Sequence, residues 1–138
     1  MAVGFKVKYY WYQVGTSDFL HAFFSTICFN LENKKWGSKY PYIMNKLYSY
    51  CLKYEDIDNA IIELNEIKNK LKYYPPEKVV WDIENLSKQP PWGDNISNDI
   101  TDLSNYFITS EGEDLISVIQ SALEKAKELK TSIKIVNI

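Results

Sequence analysis

The sequence predicts an α+β fold in one domain, a small, mostly antiparallel sheet packed against about four helices. Three observations carry that expectation. Residues 3–14, VGFKVKYYWYQV, alternate in the period of a half-buried strand. From Glu55 to Tyr74 the apolar residues Ile57, Ala60, Leu64, Ile67, Leu71 and Tyr74 recur at spacings of three and four. The chain closes on Ser132–Val136, a second β-rich segment far from the first, so helices fall in blocks between separated strands. At 138 residues and 46% apolar content the chain can bury a core without staples.

The first strand places Phe5, Val7, Tyr9 and Trp11 on one face and Lys6, Lys8, Tyr10 and Tyr12 on the other, and Gly15 ends it. Thr16 or Ser17 is suited to cap a helix from about Asp18 to Phe29, apolar around most of its girth. After a polar break, Pro41 opens a short helix through Tyr50. The Glu55–Tyr74 helix begins with acids, ends with lysines and is stopped by Pro75-Pro76. Val79–Ile83 and Leu103–Thr109 read as further strands, the latter turned by Ser110-Glu111-Gly112. Leu115, Val118, Ile119, Ala122, Leu123 and Ala126 mark a last helix ending near Lys130. There is no internal repeat and no linker between domains.

Charge is distributed unevenly. The formal net charge is -2, yet the stretch 82–114 holds Asp82, Glu84, Asp94, Asp99, Asp102, Glu111, Glu113 and Asp114 against Lys88 as its one base. Such a field attracts a partner with a basic face and repels phosphate backbones. Every one of the 16 basic residues is lysine, so arginine's bidentate fork is absent, and the isoelectric point is near 5.4. Nucleic-acid binding is disfavoured on both counts. The longest apolar run, Phe19 to Phe29, is interrupted by polar residues and is shorter than the roughly 20 residues that span a bilayer. With no secretory leader at the N-terminus, a soluble cytoplasmic protein is expected.

Aromatic residues make up 15% of the chain, with 11 tyrosines, 6 phenylalanines and 4 tryptophans, more than a core of this size needs. Two readings stand side by side: interface rings, or tyrosine in place of phenylalanine on half-exposed strands. Pro90-Pro91-Trp92-Gly93-Asp94-Asn95 builds a fixed loop, because proline stiffens its approach and Asp and Asn bond their own backbone in turns. Trp92 either anchors a partner or folds back to cap the core.

Chemistry is sparse. Cys28 and Cys51 have no CxxC partner, so no zinc site or disulfide framework is indicated. Asp18, His21, Ser25 and Cys28 share a helical stripe, and Asp18 and His21 are spaced to pair. Cys28 lies about 10 Å along the helix from His21, too far for a nucleophile and its base. Asp82 with Glu84, or Asp94 with Asp99, are paired carboxylates without a defined pocket. DNISNDITD, residues 94–102, lacks the spacing, central glycine and closing glutamate of a calcium-binding EF-hand loop. The scattered glycines form no phosphate cradle, and no cofactor or metal is expected.

Three stretches carry a resemblance: GFKVKYYWYQVGTSDFLHAFFSTI, the Trp36-Gly37 element, and VVWDIENLSKQPPWGDNISNDITDLSNYF. In these the chain resembles the bacterial immunity proteins catalogued as immunity protein 70, from polymorphic and contact-dependent toxin systems. The resemblance implies a cytoplasmic antidote that binds a cognate toxin and has no chemistry of its own. It assigns no catalytic residues. From charge clustering, the expected partner-binding residues are Trp92, Asp94, Asp99 and Asp102, with Asp82 and Glu84 beside them. The rival readings are a small hydrolase using His21 with a carboxylate, and a regulatory adaptor.

Overall fold

The computed structural model describes residues 2–48 and 51–137. The N-terminal segment expected as one strand is a hairpin. β1 (Ala2–Val7) pairs antiparallel with β2 (Tyr10–Thr16), and Lys8 (φ 54) with Tyr9 makes the two-residue turn. The turn reverses the expected facing. Directly opposed residues of an antiparallel pair share a face, and here Phe5 opposes Tyr12 and Val7 opposes Tyr10. Tyr12 therefore packs towards the core with Phe5, while Tyr9 stands 95% exposed at the tip.

β3 (Lys134–Asn137) pairs antiparallel with the other edge of β1, giving the order β2-β1-β3. The sheet is thus small and antiparallel, and the fold is α+β as expected. β1 is the central strand, and its Gly4 lies beside a register shift with the Trp11 ring and the Tyr12 carbonyl close against it.

α1 (Ser17–Leu31) starts where Thr16 Oγ1 accepts the Phe19 amide at 3.1 Å. It buries an unbroken run from Ala22 to Cys28, in addition to Phe19 and Leu20. α2 (Ile57–Leu71) presents Ile57, Ala60, Leu64, Ile67 and Leu71 to the core. α3 (Leu115–Leu129) is capped by Asp114, whose carboxylate accepts the Ser117 amide, and ends at Lys130 in the left-handed conformation. The short helix after Pro41 is a π-helical turn, Tyr42–Leu47, and its expected end at Tyr50 lies outside the described residues.

A buried glutamate organises the entry to that turn. Glu32 is only 3% exposed, and its carboxylate accepts the amides of Gly37, Lys39 and Tyr40 at 3.0, 2.9 and 2.9 Å. The Trp36 indole donates to the Met44 carbonyl, and Glu63 accepts the Ile43 amide. The loop and the π-helical turn are thereby fastened to α1 and α2.

Two expected strands are absent. Residues 79–83 do not join the sheet, because their backbone groups bond to side chains of α1 instead of to a neighbouring strand. Residues 103–109 make one isolated bridge, Ile108 to Asp114, at the turn that leads into α3, and Leu103 donates instead to the Tyr74 carbonyl. The Ser110-Glu111-Gly112 turn is present, closed by Thr109 N to Glu113 O at 2.7 Å.

Two outcomes follow from this packing. A Cβ at Gly4 would stand 2.5 Å from the Tyr12 carbonyl oxygen, so Gly4→Ala should lower unfolding free energy by about 2 kcal/mol or more in urea titrations. Glu32→Ala strands three amides, two of them on buried residues, and should cost about 2–4 kcal/mol in the same assay, with Glu32→Gln recovering part of the loss.

Candidate functional site

Between α2 and α3 the chain runs without regular sheet or α-helix from residue 72 to residue 114. It divides into a strap, residues 78–84, and an acidic loop, residues 92–105. The strap lies along α1 and is held by that helix's polar side chains. Asn30 Nδ2 donates to the Lys78 carbonyl at 2.9 Å. Thr26 Oγ1 donates to the Val80 carbonyl and accepts the Val80 amide, at 3.1 and 3.0 Å, and Ser25 Oγ accepts the Ile83 amide at 3.1 Å. Ser25 and Thr26 are fully buried by this contact.

His21 continues the same rail. Its Nε2 lies 3.4 Å from Asp82 Oδ1 and its Nδ1 lies 2.7 Å from the Tyr48 hydroxyl, while the ring stacks on Trp36. The expected pairing with Asp18 gives way to these partners, since the strap occupies the space beside the imidazole. The stripe that carries His21 and Ser25 is thus the seat of the strap. Burial, with the Glu32 carboxylate, pushes the Cys28 thiol up to about 11, so no thiolate forms there at neutral pH. The recesses beside Trp92, the strap and the hairpin are lined by other residues than His21.

The strap also places Asp82 and Glu84. The Glu84 amide bonds the Asp82 carboxylate at 2.9 Å; together with His21 and Lys88 it outweighs burial and holds the Asp82 carboxyl below its ordinary value. Lys88 pairs with the other carboxylate oxygen at 3.5 Å. Asp82 is therefore engaged within the protein, in a turn rather than a strand, whereas Glu84 is exposed.

The acidic loop is braced from inside. Asn105 is its hub: Oδ1 accepts the Thr101 and Asp102 amides, and Nδ2 donates to the Asp99 carbonyl and the Thr101 hydroxyl. Asp102 accepts the Ser104 amide at 2.8 Å and the Ser104 and Thr101 hydroxyls. Burial raises its carboxyl, but these three donors prevail and hold it below the ordinary value. Asp102 is thus half-buried and turned into the loop, while Asp94 and Asp99 are exposed.

Trp92 folds back onto the protein only in part. Its indole donates to the Tyr106 hydroxyl at 2.8 Å and its ring meets Trp81 edge-on at 5.4 Å, yet 37% of the residue is exposed. Gly93 (φ 57) lets the chain turn there with open space around its Cα. A recess of about 200 Å³ beside the indole is lined by Phe19, Trp92, Ile96, Ile100, Tyr106 and Ile108, with Asn95 and Ser97. Sequence reasoning missed Ile108 as an exposed residue and Ile100 as a half-buried one lining this recess. Their signal was faint: Ile108 follows the buried pair Tyr106-Phe107 in a stretch that reads as a strand.

Among the described residues no three of the His, Cys, Asp and Glu side chains gather as a metal-binding group, and no helix is long and apolar enough to cross a membrane.

Thr26→Val keeps the shape of α1 but strands both polar groups of Val80. It should cost about 1–3 kcal/mol and raise amide exchange at Val80 and Ile83 before that of the α2 core. Asp82 stabilises the fold when ionised above its unfolded value of about 3.9, and that contribution disappears as pH falls through its lower folded value. The stability deficit of Asp82→Asn in denaturant titrations should therefore be larger at pH 7 than at pH 3.

A family model described as Immunity protein 70 matches residues 5–135. No curated protein and no solved structure matches the chain. The match takes in β2, the helices α1, α2 and α3, the strap and the acidic loop; the chain belongs to the Immunity protein 70 family.

Proposed function

We propose that this protein is an antidote: it binds a cognate bacterial toxin domain and blocks it, without catalysis of its own. The observation that carries this reading is family membership over nearly the whole chain. The surface around Trp92 supports it further. A loop with a braced backbone exposes Asp94 and Asp99 beside a half-exposed indole, so less backbone entropy is lost on binding. A toxin domain with a basic face would be steered to it.

Within that reading the expected residues divide by what their side chains are free to do. Trp92, Asp94 and Asp99 meet the partner directly, and Glu84 adds exposed charge from the strap. Asp102 shapes the loop and Asp82 holds the strap, and each adds to the local field. The toxin would be met in the cytoplasm of the cell that makes the antidote. The hydrolase reading loses ground because Asp82, Tyr48 and Trp36 already occupy the surroundings of His21.

Co-expression with the C-terminal domain of the toxin encoded beside this gene should restore growth, and the inactivated domain should bind with nanomolar affinity in calorimetry. Asp94→Lys with Asp99→Lys should slow association by about 10-fold or more at low salt and flatten its salt dependence. Absence of both rescue and binding would remove the antidote reading.

A further inference from the structure

The recess beside Trp92 does not stand alone. A second recess, of about 570 Å³, shares Ser97, Ile100 and Ile108 with it and extends to Asp99, Asp114 and Lys68. The two form a trough on either side of an isoleucine ridge, and Ile108 on that ridge is 43% exposed. Asp94 and Tyr106 line an adjoining recess at one end. Asp99 and Asp114 border the other end. Against these carboxylates and Asp102 stand two lysines, Lys68 in the second recess and Lys72 near Asp102.

One polar group is left over. Asp114 caps α3 through Oδ2, while its Oδ1 is buried without a hydrogen-bond partner. Asp114 also lines the second recess, where its charge adds to the acidic rim. The trough thus combines an apolar floor and an acidic rim. A large exposed apolar patch with a polar rim is the usual form of a protein contact.

We propose that the trough receives a segment of the toxin domain that presents one large aliphatic or aromatic side chain flanked by lysine or arginine. This rests on the antidote reading and specifies how the partner is held. The apolar side chain fills the recess between Trp92 and Ile108, and the flanking cations meet Asp94 at one end and Asp99 and Asp114 at the other. The floor supplies the slow dissociation and the rim the fast, oriented approach. Charge complementarity selects a basic partner over a second copy of this chain, which would have to bring a matching acidic trough edge against the first.

The test titrates the catalytically inactive toxin domain encoded beside this gene into the wild type, Ile108→Lys, Ile108→Ala and the control Ile62→Lys. Ile62 is exposed on α2 and lines neither recess. Thermal unfolding first establishes that each variant is native, and Ile108→Ala serves if the lysine disturbs the turn into α3. The expected result is a dissociation constant raised about 100-fold by Ile108→Lys, mainly through the off-rate, about 10-fold by Ile108→Ala, and left unchanged by Ile62→Lys. Tight wild-type binding with both Ile108 variants within about threefold of it would overturn the trough and leave the antidote reading in place. Loss of affinity in Ile62→Lys equal to that in Ile108→Lys would also overturn it. So would a dimer, seen by sedimentation, that Ile108→Lys dissolves. No binding by the wild type would overturn the antidote reading itself.

Discussion

Helix α1 is buried around nearly its whole girth, and a sheet of three strands covers only one side of such a helix. Everything else in the structure answers that constraint. α2 and the π-helical turn cover part of the remainder, with Tyr48 and Trp36 against Phe24. Phe107 closes the end near Phe19 and Phe23 through edge-on ring contacts at 5.8 and 5.3 Å. The last side is covered by irregular chain. An irregular cover brings backbone amides and carbonyls against an apolar helix, where each needs a partner. Ser25, Thr26 and Asn30 are those partners, which explains polar residues in a helix that otherwise has few on its buried faces.

That solution leaves the long connection free to carry function at its outer surface. The strap is spent on covering α1, but the loop beyond it is held by Asn105 and Asp102 and so keeps a fixed shape with little core of its own. Loops positioned in this way by a rigid scaffold are where recognition residues concentrate. The same stretch holds most of the uncompensated negative charge near an exposed indole and two isoleucines. The segment is thus divided: residues 78–84 cover α1, residues 92–99 are largely exposed, and Leu103, Tyr106 and Phe107 return to the core before Ile108 emerges at the surface.

Legibility in the sequence followed periodicity. α1, α2 and α3 were readable to within a few residues at each end because their apolar spacings and caps are strong, Thr16 and Pro75-Pro76 above all. β3 was readable as well. The hairpin was not, because Lys8-Tyr9 lacks the Asn-Gly or Asp-Gly signature of a two-residue turn and the alternation runs through it undisturbed. Val79–Ile83 has strand composition, yet its partner is a helix's side chains, a contact that no local pattern announces. For the proposed site, charge clustering singled out the acidic stretch and its Trp92 turn, where Asp94 and Asp99 are exposed. It could not tell that Asp82 and Asp102 point inward, since that depends on His21 and Lys88 for the one and on Ser104 and Thr101 for the other. Ile108 was hidden because an exposed isoleucine and a buried one look alike in a sequence.

The most direct test of this account is the hydrogen-exchange footprint of the inactivated toxin domain on the intact protein. The account predicts added protection in residues 92–108, with the Lys8-Tyr9 hairpin tip and the exposed face of α2 unchanged. Protection confined to the hairpin tip or to α2, with residues 92–108 exchanging as in the free protein, would contradict it.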